Sequence, residues 1–264
     1  METLEAIVLG AVQGLTEFLP VSSSGHLQLA KELMGVELEE NLTFDVTLHA
    51  ATVLSTIVVL WSEVWWLIRG VFSRGMNDEK RYFVKLVISM IPIGIVGMLF
   101  MEQIDALLAS DYIMVVVGAM LLLTSVLLSF AYYARPREKE SISYRDAFII
   151  GLSQAVASMP GLSRSGTTIA TGLLLGNKKS AVATFSFLMV LAPIIGQTLL
   201  DLMDGGLSAT SIGTVPLIAG FVTAFVVGCL ACRFMINIVK RGKLVWFALY
   251  CAIVGVVAIV SYFV

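Results

Sequence analysis

Two short segments of this chain are copies of one another, and each interrupts an apolar stretch with proline, glycine and serine. When Ala6 is laid on Ala147, Gly10 falls on Gly151, Gln13 on Gln154, Ser22 on Ser163, Ser24 on Ser165 and Gly25 on Gly166. The register continues without a gap through Leu33 on Leu174, Gly35 on Gly176, Thr43–Phe44 on Thr184–Phe185 and Ala51 on Ala192. The small polar identities concentrate in SSSG and SRSG, which a chance match would not do. An internal repeat in an apolar chain predicts a membrane protein of two related halves, with its site where the halves meet.

Composition supports this class. The chain is 58% hydrophobic and only 14% charged, whereas a soluble domain is about 45–50% apolar and about 25% charged. Cys229, Cys232 and Cys251 lie in apolar stretches without metal-ligand spacing and read as packing residues. No cleavable signal peptide is expected, because the first apolar run opens with acidic Glu2 and Glu5 rather than a basic segment.

A helix needs about 20 apolar residues to cross the hydrocarbon core. The stretches near 44–68, 82–101, 112–134, 180–200, 214–236 and 244–264 qualify. Regions 4–34 and 147–176 do not, since LPVSSSGH and MPGLSRSG divide them into pieces too short to span. Interrupted helices at matching positions of two halves read as re-entrant hairpins. The expected fold is an all-α integral membrane protein, with six transmembrane helices and two re-entrant helical hairpins in an inverted-topology repeat. It forms a single membrane domain over 1–264, with repeats of about 1–134 and 142–264.

Charge orients the spans. Arg69, Arg74, Lys80 and Arg81 share one connection, Arg135, Arg137, Lys139 and Arg145 another, and Arg233, Lys240, Arg241 and Lys243 mark the last. Lys178 and Lys179 follow the second hairpin. The alternate connections are acidic, with Glu102, Asp105 and Asp111, then Asp201 and Asp204. Alternation holds only if 147–176 enters and leaves on the basic, cytoplasmic face. Glu37, Glu39 and Glu40 then place 1–43 as dipping in from outside, so the halves are inverted. Of the 17 Lys and Arg, Lys31 and Arg164 stand apart. Lys31 is expected to reach the outer interface; Arg164 lies at a hairpin tip.

A charge at that depth costs about 2.5–3.5 kcal/mol on insertion scales, which marks it as functional. Arg164 sits in a serine-rich turn that opens a helix, where backbone N–H groups and a planar guanidinium suit phosphate. The first tip carries Gln13 and Glu17 on one helix face, then Ser22, Ser23 and Ser24, then His26. A carboxylate, a hydroxyl and an imidazole beside a phosphate-binding Arg make a hydrolytic site. In the repeat, Glu17 falls on Ser158, Ser23 on Arg164 and His26 on Thr167, so one tip holds acid–base groups and the other an anion clamp. Asp45 and His49 share a face and either tune the site, bind a cation or form a plain hydrogen-bonded pair. Glu63 is expected to snorkel at the end of its span. Trp61, Trp65 and Trp66 fit an interfacial belt, and Gly172 and Gly176 a close-packing face.

These motifs, Gln13-Gly-Leu-Thr-Glu17, Pro20-Val-Ser-Ser-Ser-Gly-His26 and Pro160-Gly-Leu-Ser-Arg-Ser-Gly-Thr-Thr168, resemble those of the bacitracin-resistance family of undecaprenyl-diphosphate phosphatases. The likeness covers essentially the whole chain. It implies hydrolysis of undecaprenyl diphosphate to the monophosphate carrier lipid and phosphate, for peptidoglycan synthesis. It implies a multi-pass protein of the bacterial plasma (inner) membrane, with a pocket open to the periplasmic or outer side. It further implies that Glu17 is the essential carboxylate, Ser23 the candidate nucleophile, His26 the acid–base partner and Arg164 the diphosphate clamp. Gln13, Ser22, Ser24, Gly25, Ser163, Ser165, Gly166 and Thr168 are the expected substrate-binding residues. The resemblance implies a divalent cation, Mg²⁺ or Ca²⁺. Position 13 is Gln rather than the commoner Glu, so Glu17 is the single motif carboxylate, and the metal is expected to ride on the diphosphate with Glu17 as an outer partner. The implied partners are a polyprenyl diphosphate and membrane lipids, with no nucleic acid; packing faces allow a homodimer.

Two choices stay open at this level. The nucleophile is either Ser23 or a water, with Glu17, or His26 oriented by Glu17, as base. The scaffold also suits a polyprenyl-phosphate flippase, since inverted repeats with broken helices are a transporter architecture. An acid–base pair beside Ser23 favours the hydrolase.

Overall fold

The protein, seen in a computed structural model, is described over residues 1–36, 42–110, 112–133, 139–196 and 212–263. The expected loop charges Glu37, Glu39, Glu40, Asp111, Arg135, Arg137, Asp201 and Asp204 lie outside these residues. Among the described residues every regular element is a helix: α1 (Thr3–Thr16), α2 (Ser23–Met34), α3 (Leu42–Val59), α4 (Trp61–Val71), α5 (Asp78–Leu99), α6 (Met101–Leu108), α7 (Ile113–Tyr133), α8 (Tyr144–Val156), α9 (Arg164–Leu174), α10 (Lys179–Met189), α11 (Thr214–Arg241) and α12 (Val245–Phe263). Beyond Met189 the chain turns at Val190 and stays helical to Gly196. The chain is therefore all-α.

Among the described residues, five helices are long and apolar enough to cross a membrane: Asp78–Leu99, Ile113–Tyr133, Lys179–Gly196, Thr214–Arg241 and Val245–Phe263. A sixth appears if Thr43–Val59 and Trp61–Val71 count as one, but they meet at an 81° bend. The sequence reads 44–68 as a single span, and the structure divides it at Leu60. The 18 residues of α3 extend about 27 Å at 1.5 Å per residue. The α4 segment turns aside from it, with Trp61, Trp65 and Trp66 exposed along it.

Both interrupted regions form helix pairs, α1–α2 and α8–α9, broken where the serine-rich motifs fall. Their arms pack on long helices from the other end of the chain. α1 lies along α11 and α8 along α5; α3 also packs on α11 and α10 on α5, while α7 pairs with α12. Glycines at matching repeat positions permit two close backbone approaches. A Cβ on Gly10 would stand 2.5 Å from the Gly220 carbonyl oxygen, and one on Gly151 would overlap the Ser89 carbonyl. The largest buried cluster gathers Phe18, Phe185, Phe187, Met189 and Met235 beneath the first interruption. A second joins Ala6, Leu9, Phe44, Leu48 and Ala224, binding α1 and α3 to α11.

Three local expectations change. Lys31 does not reach out to an interface: it is 4% exposed and pairs with Asp45 at 2.7 Å, tying α2 to α3. Asp45 is thereby taken, and His49 donates from Nδ1 to the Asp45 backbone carbonyl at 2.8 Å, so the two are not a side-chain pair. Glu63 accepts from its neighbour Ser62 at 2.6 Å. Gly172 does make a close contact, against Val182, but Gly176 forms a turn with φ 84°. At the other end of the second pair, Asp146 meets Lys139 at 3.1 Å.

Candidate active site

The two interruptions are built alike. α1 ends at Thr16, and Glu17 is its C-cap, with its N–H on the Gln13 carbonyl. The chain turns through Pro20 and re-enters a helix at Ser23, capped by Ser22, whose hydroxyl accepts from the Gly25 N–H at 3.4 Å. In the second pair Ser163 caps α9 and accepts from the Gly166 N–H at 3.1 Å. The outer serines match too: Ser22 and Ser24 hydroxyls are 3.4 Å apart, as are those of Ser163 and Ser165. The repeat thus extends to hydrogen bonds. One difference is conformational: Ser22 holds φ at 71°, a left-handed value that costs a non-glycine residue about 1–3 kcal/mol.

Ser23 and Arg164 are the first residues of their helices and occupy the same repeat position. Both side chains converge on one carboxylate. Ser23 donates its hydroxyl to Glu17 Oε2 at 2.7 Å, and Arg164 Nη2 donates to Oε1 at 3.0 Å. Gln13 Nε2 adds a third bond, to Oε2, at 3.1 Å. The Glu17 side chain is 7% exposed and that of Arg164 28%. Three donors, one of them cationic, hold this buried carboxylate ionised, and a short O–H···O⁻ bond is the strong kind. Arg164 keeps further N–H groups for a ligand.

A cavity of about 20 Å³ adjoins this cluster, lined by Glu17, Arg164, Ser165, Thr168 and Ser186 and by Phe18 and Phe187. It has room for about one water molecule. Thr52 and Thr56 of α3 also face it, and the His49 imidazole on the same helix lies within electrostatic reach of Glu17. Asp45, His49, Thr52 and Thr56 thus form a polar stripe down an apolar helix, legible in the sequence at Asp45 and His49 alone.

Other expected residues fall around the cluster without joining it. Ser24 is exposed at the tip. Ser165 donates to the Leu19 carbonyl at 3.2 Å, linking the two turns, and Thr168 meets the Ser186 hydroxyl at 2.6 Å. Gly25 and Gly166 serve through their capping N–H groups. His26 does not touch Glu17 or Ser23. Its Nδ1 lies 2.9 Å from the Ser22 carbonyl and its Nε2 2.7 Å from the Tyr250 hydroxyl. The expected ordering of His26 by Glu17 is therefore replaced by ordering through Ser22 and Tyr250.

Three supports were invisible in the sequence. Thr124 accepts from the Ser163 N–H at 3.1 Å and fixes the second turn; its one signal is a hydroxyl within an apolar helix. Cys251 donates to the Pro20 carbonyl at 3.3 Å, and Tyr250 is its neighbour. Ser186 carries no local signal. In the second copy, where Ser158 replaces the carboxylate, the buried Gln154 amide has no hydrogen-bond partner among the described residues, and neither does the Thr167 hydroxyl.

The donors do not fit a protein-held divalent ion. No group of three acidic, histidine or cysteine side chains comes together among the described residues. Both oxygens of Glu17 already serve donors, one of them a guanidinium.

A family model described as "Bacitracin resistance protein BacA" matches residues 6–257. The chain is 60% identical over 263 residues to an undecaprenyl-diphosphatase of Bacteroides fragilis, covering 98% of each chain. It is 56% identical over 264 residues to one from Bacteroides thetaiotaomicron, covering 99% of each. Similarity extends to an undecaprenyl-diphosphatase of the more distant Methanosphaera stadtmanae, at 34% over 280 residues and 98% of each chain.

Proposed function

The chain belongs to the bacitracin resistance protein family BacA, and from that premise we propose that its reaction is run by Ser23, Glu17 and Arg164. The chain is an undecaprenyl-diphosphatase: it hydrolyses undecaprenyl diphosphate to undecaprenyl phosphate and inorganic phosphate, returning the carrier lipid to peptidoglycan synthesis and conferring bacitracin resistance. The observation that carries the assignment of roles is the convergence of Ser23 and Arg164 on Glu17.

Phosphoryl transfer is governed by positioning and charge. Arg164, with the serine hydroxyls and N–H groups of both turns around it, neutralises charge on the transferred group. The Ser23 hydroxyl already points its proton at Glu17, so Glu17 is the base and Ser23 Oγ the nucleophile. Oγ forms a bond to the terminal phosphorus as the bridging P–O bond breaks. The proton passes to Glu17, and undecaprenyl phosphate leaves. Water then releases phosphate from the serine. His26, with both nitrogens engaged elsewhere, is not the base for Ser23; its neutral ring at the same tip suits it to take the proton from the water that releases phosphate.

The flippase alternative is not favoured: an anion-transport site has no use for a hydroxyl bonded to a carboxylate. The finer architecture is part of the proposal. We take α1–α2 and α8–α9 as re-entrant hairpins of two inverted halves, supported by the exchange of partners in which α1 packs on α11 while its counterpart α8 packs on α5. Basic connections place the loops in the cytoplasm and the pocket toward the outer side of the inner membrane. A divalent cation, Mg²⁺ or Ca²⁺, arrives with the diphosphate.

Phosphate release by purified protein from a C55 diphosphate in detergent tests the reading. Turnover that disappears in Ser23→Ala, with labelled phosphate trapped on the wild-type chain, is the expected result. Full activity of Ser23→Ala rejects the serine route in favour of direct water attack.

A further inference from the structure

The last helix reaches into the first tip at two adjacent residues. Tyr250 meets His26, and Cys251 donates to the Pro20 carbonyl. The His26 contact is the informative one, because both ring nitrogens are spoken for. A backbone carbonyl can only accept, so Nδ1, 2.9 Å from the Ser22 carbonyl, carries a proton. The neutral ring is then left with Nε2 as an acceptor, and among the described residues the donor bonded to it is the Tyr250 hydroxyl at 2.7 Å. The two rings also lie nearly parallel, 19° apart with centroids at 5.6 Å. The histidine is gripped from the two sides by groups 228 positions apart in the chain, Ser22 on its own turn and Tyr250 on α12. In the other half, the matching position is Thr167, whose hydroxyl has no partner among the described residues, so the grip belongs to one copy alone.

We infer that Tyr250 is a positioning residue for the reaction: its hydroxyl holds His26 as the neutral, Nδ1-protonated ring with Nε2 turned toward the tip opening. This rests on the reading of His26 as the proton-handling group at that tip. An unanchored imidazole can rotate and exchange tautomers; anchored at both nitrogens, it presents one orientation. Tyr250 is 43% exposed, so a water molecule, which can donate as the tyrosine does, can take its place at Nε2 without disturbing the Ser22 anchor.

The chain holds two histidines, His26 and His49, so a histidine-labelled ¹⁵N spectrum contains two imidazoles, and a His49→Gln sample assigns them. The wild type is expected to show His26 as the Nδ1–H tautomer. Tyr250→Phe keeps the ring and its packing but removes the bond, so the Nε2 resonance moves toward that of an unbonded ring. With undecaprenyl diphosphate, kcat falls about three- to tenfold, the scale of one hydrogen bond, while KM stays within about twofold. Tyr250→His, which restores a donor, recovers part of kcat. Cys251→Ala, which alters the same helix at the same turn, leaves the His26 resonances in place. An Nε2–H tautomer in the wild type, or an Nε2 resonance unmoved by Tyr250→Phe, overturns the inference. So does unchanged kcat in Tyr250→Phe. Full activity of His26→Ala instead rejects the role of His26, while the resonance shift still reports the bond.

Discussion

Replacing Glu17 by Gln tests the centre of the site with little change of shape. The wild-type carboxylate accepts from Arg164 through Oε1 and from Ser23 and Gln13 through Oε2. A carboxamide has one accepting oxygen, so its NH₂ must face either the guanidinium or the Ser23 and Gln13 donors. Facing the guanidinium, a donor meets a donor; facing the other side, Ser23 and Gln13 must turn round to accept; either way Arg164 loses its counter-charge. Removing one partner of a buried pair costs about 3–5 kcal/mol; because Arg164 is 28% exposed, water recovers part of this, leaving about 1–3 kcal/mol. The chemical loss is separate. A positioned base is worth about 10²–10⁴ in rate, or about 3–5 kcal/mol. Glu17→Gln should therefore lower kcat by at least about a hundredfold and reduce the melting temperature in detergent. The double variant Glu17→Gln/Arg164→Gln should be less destabilised than the sum of its singles by about 1 kcal/mol or more. Phosphate release by a coupled assay and thermal unfolding by intrinsic fluorescence measure the two effects. Activity within tenfold of wild type refutes Glu17 as the base, and additive destabilisation refutes the pair across the two tips.

Four further outcomes follow from the same geometry. Arg164→Lys should lose at least tenfold in kcat/KM for undecaprenyl diphosphate, because an ammonium cannot serve Glu17 and a phosphate in the planar fork of a guanidinium. Lys31→Met should lower stability by about 1–3 kcal/mol, since it strands Asp45 at a pair whose Lys side chain is 5% exposed; Lys31→Met/Asp45→Leu should recover most of the loss in a melting assay. Gly151→Leu should fail to assemble or melt far below wild type, because even its Cβ overlaps the Ser89 carbonyl. At Asp146, burial pushes the carboxyl upward, but the hydrogen bonds from Lys139 and Ser143 outweigh it and hold the group below the usual carboxylate range. A depressed folded value stabilises above the unfolded pKa and is lost as pH falls. The melting advantage of wild type over Asp146→Asn should thus be full near neutrality and shrink below about pH 4.

The residues that meet at the site were legible because the repeat sets the two tips side by side in sequence space. Ser23 and Arg164 share a repeat position, and an arginine inside an apolar segment announces itself. The i, i+4 spacing of Gln13 and Glu17 predicts the bond between them. What escaped notice had no local cause. The bend at Leu60 falls in a run without proline or glycine, so no breaker residue announces it. Lys31 looked like an interfacial cation because its partner Asp45 lies across the 37–41 connection on another helix. Tyr250, Thr124 and Ser186 act through contacts with residues far away in the chain, and periodicity has no term for those. His26 was correctly marked as part of the first tip and wrongly coupled to Glu17, because proximity in the motif does not fix where a ring nitrogen points.

The hydrogen bonds to Glu17 divide by origin. The Ser23 and Gln13 bonds stay inside the first helix pair, and the Arg164 bond crosses to the second. Any small movement of one tip against the other therefore acts on one of the three bonds to Glu17, together with the Ser165–Leu19 link. It parts the cation from the carboxylate but carries nucleophile and base along as a unit. The attacking pair belongs to one tip and needs nothing from the other to stay assembled.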